Sequence, residues 1–238
     1  MAPTVLPAVL RHHLAALRML LVFTVITGVA YPLLVTGIAQ TGLAHQANGS
    51  LMTSNGKAVA SSLIGQNFTL PKKNPHDPNE APRPDPAWFQ PRPSAGGYDP
   101  TNSGASNLGP NSTKLIADIR ARRAAVAAFD GVSPASVPAD AVTASGSGLD
   151  PAISPAYAYE QADRVAKARH LAAARVRSLV TQHVRGRDLG FLGQQRVNVV
   201  ELNHALTRLG HRAAVSGTFP AAEQDRRLPL AHGIRSVR

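Results

Sequence analysis

MLLVFTVITGVAYPLLVTGIA, Met19 to Ala39, carries no charged residue over 21 positions, and at 1.5 Å rise per residue such a helix covers the ~30 Å hydrocarbon layer of a bilayer. The apolar region of a cleaved signal peptide is shorter, ~7–15 residues. A soluble core large enough to hide the stretch on every face is more than the polar remainder of the chain can build. It reads as a transmembrane helix that stays attached. Arg11 and Arg18 precede it and the first charge after it is Lys57. Because Lys and Arg within ~15–20 residues of a span set its orientation, residues 1–18 are expected in the cytoplasm and the chain beyond Ala39 outside. Pro32 removes a backbone donor in the distal half and predicts a kink there. Gly28, Ala30 and Gly37 are small enough to let another helix approach closely, as on a docking face or simply as residues common in spans.

The chain's 238 residues hold 25 Lys and Arg against 14 Asp and Glu, a formal charge of +11. Such a balance raises nucleic acid as a partner, and the outward orientation removes it. No cysteine is present, which excludes disulfides, thiolate zinc sites, iron–sulfur clusters and a cysteine nucleophile together. Aromatic residues are only 5% of the chain, so the core must be built mainly from small side chains.

Residues 40–209 are expected to form one loop-rich α+β domain with about three helices and short strands. Ser54-Asn55-Gly56 is a turn signal before a short strand or hairpin within residues 57–68. Pro71 to Pro93 holds eight prolines in 23 residues and reads as an extended surface loop. Its adjacent Trp88 and Phe89 should pin the loop to the domain or to a partner. Residues 94–112 read as an ordered, hydrogen-bonded loop. Ser112 caps a helix running to about Phe129, with Gly131 as its stop. Ser154-Pro155 opens the longest helix of the domain, with Val165, Ala168, Ala172, Val176, Leu179 and Val180 as its buried stripe. Arg164, Lys167, Arg169, Arg175 and Arg177 occupy the other faces as a solvated surface. Gly186, Gly190 and Gly193 punctuate a loop, and Asn198 with Glu201 has the reciprocal capping pattern for a final helix from Val199 to Leu209. The tail 210–238, with five Arg after Gly210, is expected to be disordered.

Chemistry is sparse. No GxxxxGK[ST] loop and no Asp beside Lys-Thr-Gly-Thr occurs, so neither route to ATP hydrolysis is open to this chain alone. HExxH and GxSxG are absent, and the nine histidines show no ligand spacing, so no metal and no catalytic residue is assigned. Gly146-Ser147-Gly148 reads as a tight turn rather than an anion cradle. A membrane-anchored extracytoplasmic hydrolase and a basic envelope-binding module remain the alternatives to a purely structural role.

The loops SLIGQNF (62–68), FQPRPSAGGYDP (89–100), SGASNLGPN (103–111), VTASGSGLDPAISPAYAYEQADRVAKAR (142–169) and LGFLGQQRVNVVELNHAL (189–206), together with the single span, resemble the KdpC family, C subunits of bacterial Kdp potassium-transporting ATPases. The resemblance covers about residues 10–209. It implies a non-catalytic subunit in the bacterial cell membrane, joined to a channel-like potassium-binding subunit and to a P-type subunit that uses ATP and Mg. Gly28, Tyr31, Pro32, Gly37, Trp88, Phe89, Arg92 and Asn107 are then the candidates for the partner interface. The family is associated with ATP binding by the complex, for which Ser145, Gly146, Ser147, Gly148 and Gln161 are the residues carried over, although the charge bias puts them across the membrane from ATP. The sequence departs from the family in a longer Pro-rich stretch (70–86), in His170 where glycine is typical, and in the added tail.

Overall fold

The computed structural model describes residues 7–54, 56–77 and 80–210; residues 1–6 and the tail, with its expected disorder, lie outside the described residues. The chain divides after Ser50 into two compact units. In the first, α1 (Ala8–Val25), a π-helical turn (Ile26–Ala30) and α2 (Tyr31–Gly42) follow one another as a 35-residue helical run, long and apolar enough to cross a membrane. The run is longer than the 21 apolar residues because Arg11, His12 and Gln40 are helix-compatible flanks. The disturbance expected at Pro32 is a π-turn just before it, in which Tyr31 N–H donates to Ile26 O and Thr27 Oγ1 donates to Phe23 O (2.6 Å). A wider turn is one of the usual ways a helix absorbs a proline. After α2 comes the single turn α3 (Ala44–Ala47), where Gln40 and Asn48 exchange side-chain amide bonds at 3.2 and 3.1 Å.

The second unit is α+β. Strands β1 (Leu51–Ser54) and β2 (Lys57–Ser61) form an antiparallel hairpin with a bulge between Met52 and Thr53. The chain then runs without regular structure to α4 (Thr113–Asp130), and continues through α5 (Ala139–Val142), β3 (Ala152–Ile153), α6 (Pro155–Ala168), α7 (Ala173–His183), β4 (Val184–Arg185), β5 (Arg196–Asn198) and α8 (Val199–Gly210). Strands β3, β5 and β4 pair antiparallel in that order. Helix boundaries follow the caps. Ser112 and Ser154 accept from the third residue beyond them, Leu115 N–H and Tyr157 N–H, and Asn198 Oδ1 accepts from Val200 and Glu201 N–H. Half of the reciprocal pattern at α8 is missing, because Glu201 turns to Arg185 instead (2.8 Å).

The long helix expected from Ser154 is two helices, so α4 with 18 residues is the longest in this unit. The break is a Schellman motif: Leu171 N–H reaches back to Ala166 O (2.9 Å), His170 N–H to Lys167 O (3.3 Å), and His170 has φ +53°. Helix α4 ends similarly, with Val132 N–H on Ala127 O (3.0 Å), but there the left-handed residue is Gly131 (φ +71°). The turn rotates the apolar stripe, so Ala158, Gln161, Ala162, Val165 and Ala166 are buried on α6, whereas Ala168 and Ala172 are not. A side chain in the left-handed region costs ~1–2 kcal/mol, partly offset by the freedom glycine has when unfolded. His170→Gly should therefore stabilise the chain by about 0.5–1 kcal/mol, read as a higher denaturation midpoint, whereas Gly131→Ala should lower it.

Candidate functional site

Residues 71–76 of the Pro-rich stretch lie exposed as a surface loop should, but its far end, at Trp88 and Phe89, enters the core. Phe68 and Phe89 are fully buried and Trp88 nearly so, with the Phe68 and Trp88 ring centroids 5.9 Å apart. Proline leaves a strap without ladder partners, so each buried backbone group needs another one. Side chains of α6 and α8, with Arg169 just past the end of α6, supply them. Asn203 accepts from Phe89 N–H (3.0 Å) and donates to Phe89 O (2.8 Å). Gln161 does the same for Gln90, at 2.6 and 3.1 Å. Arg164 donates to Pro86 O (2.7 Å) and Trp88 O (3.0 Å), and Arg169 donates to Ala87 O (2.6 Å) with its guanidinium 4.0 Å from the Trp88 ring centroid. Five consecutive residues are thus held by two carboxamides and two guanidiniums.

Several expectations are corrected here. Trp88 and Phe89 are packed inside the domain, so of the two alternatives the pair pins the loop to the domain. Arg164 and Arg169 are not part of a solvated surface. Arg92 bonds Thr143 O (3.3 Å) and pairs with Asp150 (3.4 Å), which makes it a brace between loops. Asn107 is exposed with φ +53°. Sequence reasoning missed Asn203; the signal was a polar residue inside the buried set Val199, Val200, Leu202 and Leu206, where an amide must find partners.

Ser145, Gly146, Ser147 and Gly148 form a turn at which the loops meet. Gly148 N–H donates to Ser145 Oγ (2.9 Å), Gly104 N–H to Ser147 O (2.8 Å) and Ser94 Oγ to Gly148 O (2.6 Å). A Cβ on Gly148, at φ +69°, would lie 2.7 Å from Gly104 O, so only glycine allows that crossing. The ordered loop expected over 94–112 is held there, with Tyr98 N–H on Ser94 Oγ (3.0 Å) and Tyr98 OH on Arg92 O (2.9 Å). Gln161, the other nucleotide candidate, has its oxygen on Gln90 N–H and Arg164 Nη2 (2.7 Å) and its nitrogen on Gln90 O. In the first unit Gly28, Tyr31 and Gly37 are exposed, and a Cβ on Gly37 would meet nothing within 4 Å.

A buried ion pair sits behind the strap: Arg164 Nε is 2.6 Å from Asp130 Oδ1, with side chains 7% and 1% exposed. Burial outweighs the pull of Arg164 and holds the Asp130 carboxyl above its usual range. Half-buried Glu160 has an oxygen with no hydrogen-bond partner. Burial first, then the charges of Asp130 and Asp140, push it up to about 7 from 4.5. The folded state therefore holds a proton that the unfolded chain releases near pH 4.5. Stability should fall as pH rises from about 4.5 to 7 and level off above that. Glu160→Gln should flatten this slope in melts across that range.

Two clefts open on the second unit. One of about 320 Å³ lies between α7 and the end of α8, beside Arg175, Ser178, Leu179 and Leu209. The other, about 370 Å³, is lined by Ser62, Leu63, Asp150, Arg185, Arg196, Asn198 and Glu201 among others. It has guanidiniums and carboxylates, with no histidine among the described lining residues to serve a serine as base.

The family model "KdpC: K+-transporting ATPase, c chain" matches residues 13–208. Among curated proteins, a potassium-transporting ATPase KdpC subunit of Streptomyces avermitilis is 51% identical over 208 residues, covering 82% of this chain and 92% of its own. One of Kineococcus radiotolerans is 51% identical over 199 residues, covering 83% and 93%. One of Mycobacterium tuberculosis is 48% identical over 203 residues, covering 84% and 99%. The match takes in the apolar stretch and the clamped domain as far as Arg208, and by it this chain belongs to the KdpC family, the c chain of K+-transporting ATPases.

Proposed function

We propose that the chain is a non-catalytic, membrane-anchored subunit of an ATP-driven potassium uptake complex of the bacterial cell membrane, with its N-terminus in the cytoplasm and its folded domain outside. It joins a channel-like potassium-binding subunit and stabilises that subunit's assembly with the P-type subunit that hydrolyses ATP with Mg. The observation that carries this reading is the family match across both the apolar helix and the domain. The helix supplies anchoring in the lipid bilayer, and its open Gly28 and Gly37 positions allow close approach by a neighbouring span. Any effect on ATP binding is indirect, through assembly, because Gln161 is occupied by the strap and the Ser145–Gly148 turn by its neighbouring loops. Co-expression with a tagged channel-like subunit tests the reading. The chain should co-purify in one-to-one ratio, and recovery of the P-type subunit should drop without it; equal recovery in its absence would overturn the assembly role.

A further inference from the structure

Behind the strap, three carboxyl groups gather around one guanidinium. Asp130 closes α4, Asp140 lies in α5, and Glu160 and Arg164 stand four residues apart on α6. Asp140 is satisfied by Ser154, accepting from its N–H (2.6 Å) and its hydroxyl (2.9 Å). Asp130 gives Oδ1 to Arg164 Nε (2.6 Å), but its Oδ2, in a side chain only 1% exposed, has no hydrogen-bond partner, and neither does the buried Oε1 of Glu160. Fully ionised, the cluster would set three negative charges against one positive, a surplus that is not kept from water without a proton or a counter-ion. No group of three or more side chains able to hold a metal ion occurs among the described residues. A proton on Glu160 removes one charge and turns an acceptor into a donor, in keeping with a carboxyl pushed up to about 7.

Asp130 and Asp140 are the charges that raise Glu160, and Tyr157 on the same helix lies in their field as well. Of the other elements packed on α6, α7 brings Arg175, Arg177, which pairs with Asp163 (2.7 Å), and His183, whose ring meets Leu179 O (2.8 Å). Strand β5 brings Arg196, paired with Asp188 (3.4 Å), and the strap brings Asp85, which accepts from Ala87 N–H (2.9 Å). None of these contributes to the shift of Glu160. Titration meets the strap at Arg164, whose guanidinium is divided among Asp130, Gln161, Pro86 O (2.7 Å) and Trp88 O (3.0 Å). A carboxylate four residues away on a helix reaches such a guanidinium, and it is a stronger acceptor than a neutral carbonyl.

We propose that Glu160 and Arg164 form a pH-sensitive latch on the strap: while Glu160 is protonated, Arg164 holds Pro86 O and Trp88 O, and when that proton leaves to water the new carboxylate draws the guanidinium off these carbonyls and the strap loosens around Trp88. Asn203 and Gln161 keep Phe89 and Gln90, so the change is local and not an unfolding. The latch needs no partner and is therefore tested apart from the assembly reading. Trp88 is the one tryptophan of the chain, so its emission in the full-length protein in detergent reports on the strap. The emission should shift reversibly to longer wavelength as the pH rises through about 7. Glu160→Gln should keep the short-wavelength emission on both sides of that pH. Asp140→Asn, which removes one of the charges raising Glu160, should move the midpoint to lower pH. His204→Gln, which removes the titrating ring next to Asn203, should leave the midpoint in place. An unaltered chain whose emission does not shift, a shift that persists in Glu160→Gln, an unmoved midpoint in Asp140→Asn, or a shift abolished by His204→Gln would each overturn the latch.

Discussion

Asn203→Leu should destabilise the folded chain by about 4 kcal/mol, because it strands two buried groups, Phe89 N–H and Phe89 O, at ~1–3 kcal/mol each. Leucine keeps asparagine's branched shape and number of heavy atoms and is bulkier, so the loss leaves no cavity. Both amide bonds are short and lie at a fully buried residue, where no water replaces them. For a unit of this size ~2–4 °C accompanies each kcal/mol, so the melting temperature should drop by about 8–16 °C. Gln161→Leu should behave similarly through Gln90, with the further loss of the Arg164 contact. A change below ~1 kcal/mol in either variant would show that the strap finds other partners.

Arg164→Met should cost about 3–5 kcal/mol, the usual consequence of leaving one member of a buried ion pair alone. Four acceptors each lose one donor at once: Asp130 Oδ1, Pro86 O, Trp88 O and Gln161 Oε1, the last two keeping a bond from Gln90. The sign of the Asp130 shift adds a test. Burial already holds its carboxyl above the usual range with Arg164 present, so without Arg164 the carboxyl rises further. The variant should then recover part of its stability as the pH falls and Asp130 takes up a proton. Asp130→Asn in the Arg164→Met background should likewise recover a substantial fraction, giving a favourable coupling in a double-mutant cycle. Strict additivity would contradict the pairing.

The parts of this architecture written in local chemistry were legible in the sequence: the apolar helix, the turn at Gly56, the caps at Ser112, Ser154 and Asn198, and the stop at Gly131. The break between α6 and α7 was not, because the left-handed residue there is a histidine, which carries no turn signal of its own. The course of the Pro-rich strap was hidden for a different reason. Proline density rightly reports the lack of ladder partners, but the replacement partners lie 71 and 114 residues away, on helices whose polar residues look solvent-bound in a linear reading. The arginines of α6 illustrate this: charge alone put Arg164 and Arg169 on the surface, whereas their guanidiniums are the donors that a strap of carbonyls needs. The same nonlocality hid the bonds by which Gln161, a candidate carried over by resemblance, holds Gln90.

The most direct test of the central claim is potassium-stimulated ATP hydrolysis by the channel-like and P-type subunits, purified from membranes with and without this chain. Hydrolysis should be lost or fall at least tenfold in its absence, return when the chain is co-expressed, and be undetectable with the chain alone. Equal potassium-stimulated hydrolysis without the chain, or hydrolysis by the chain alone, would contradict its assignment as a non-catalytic assembly subunit.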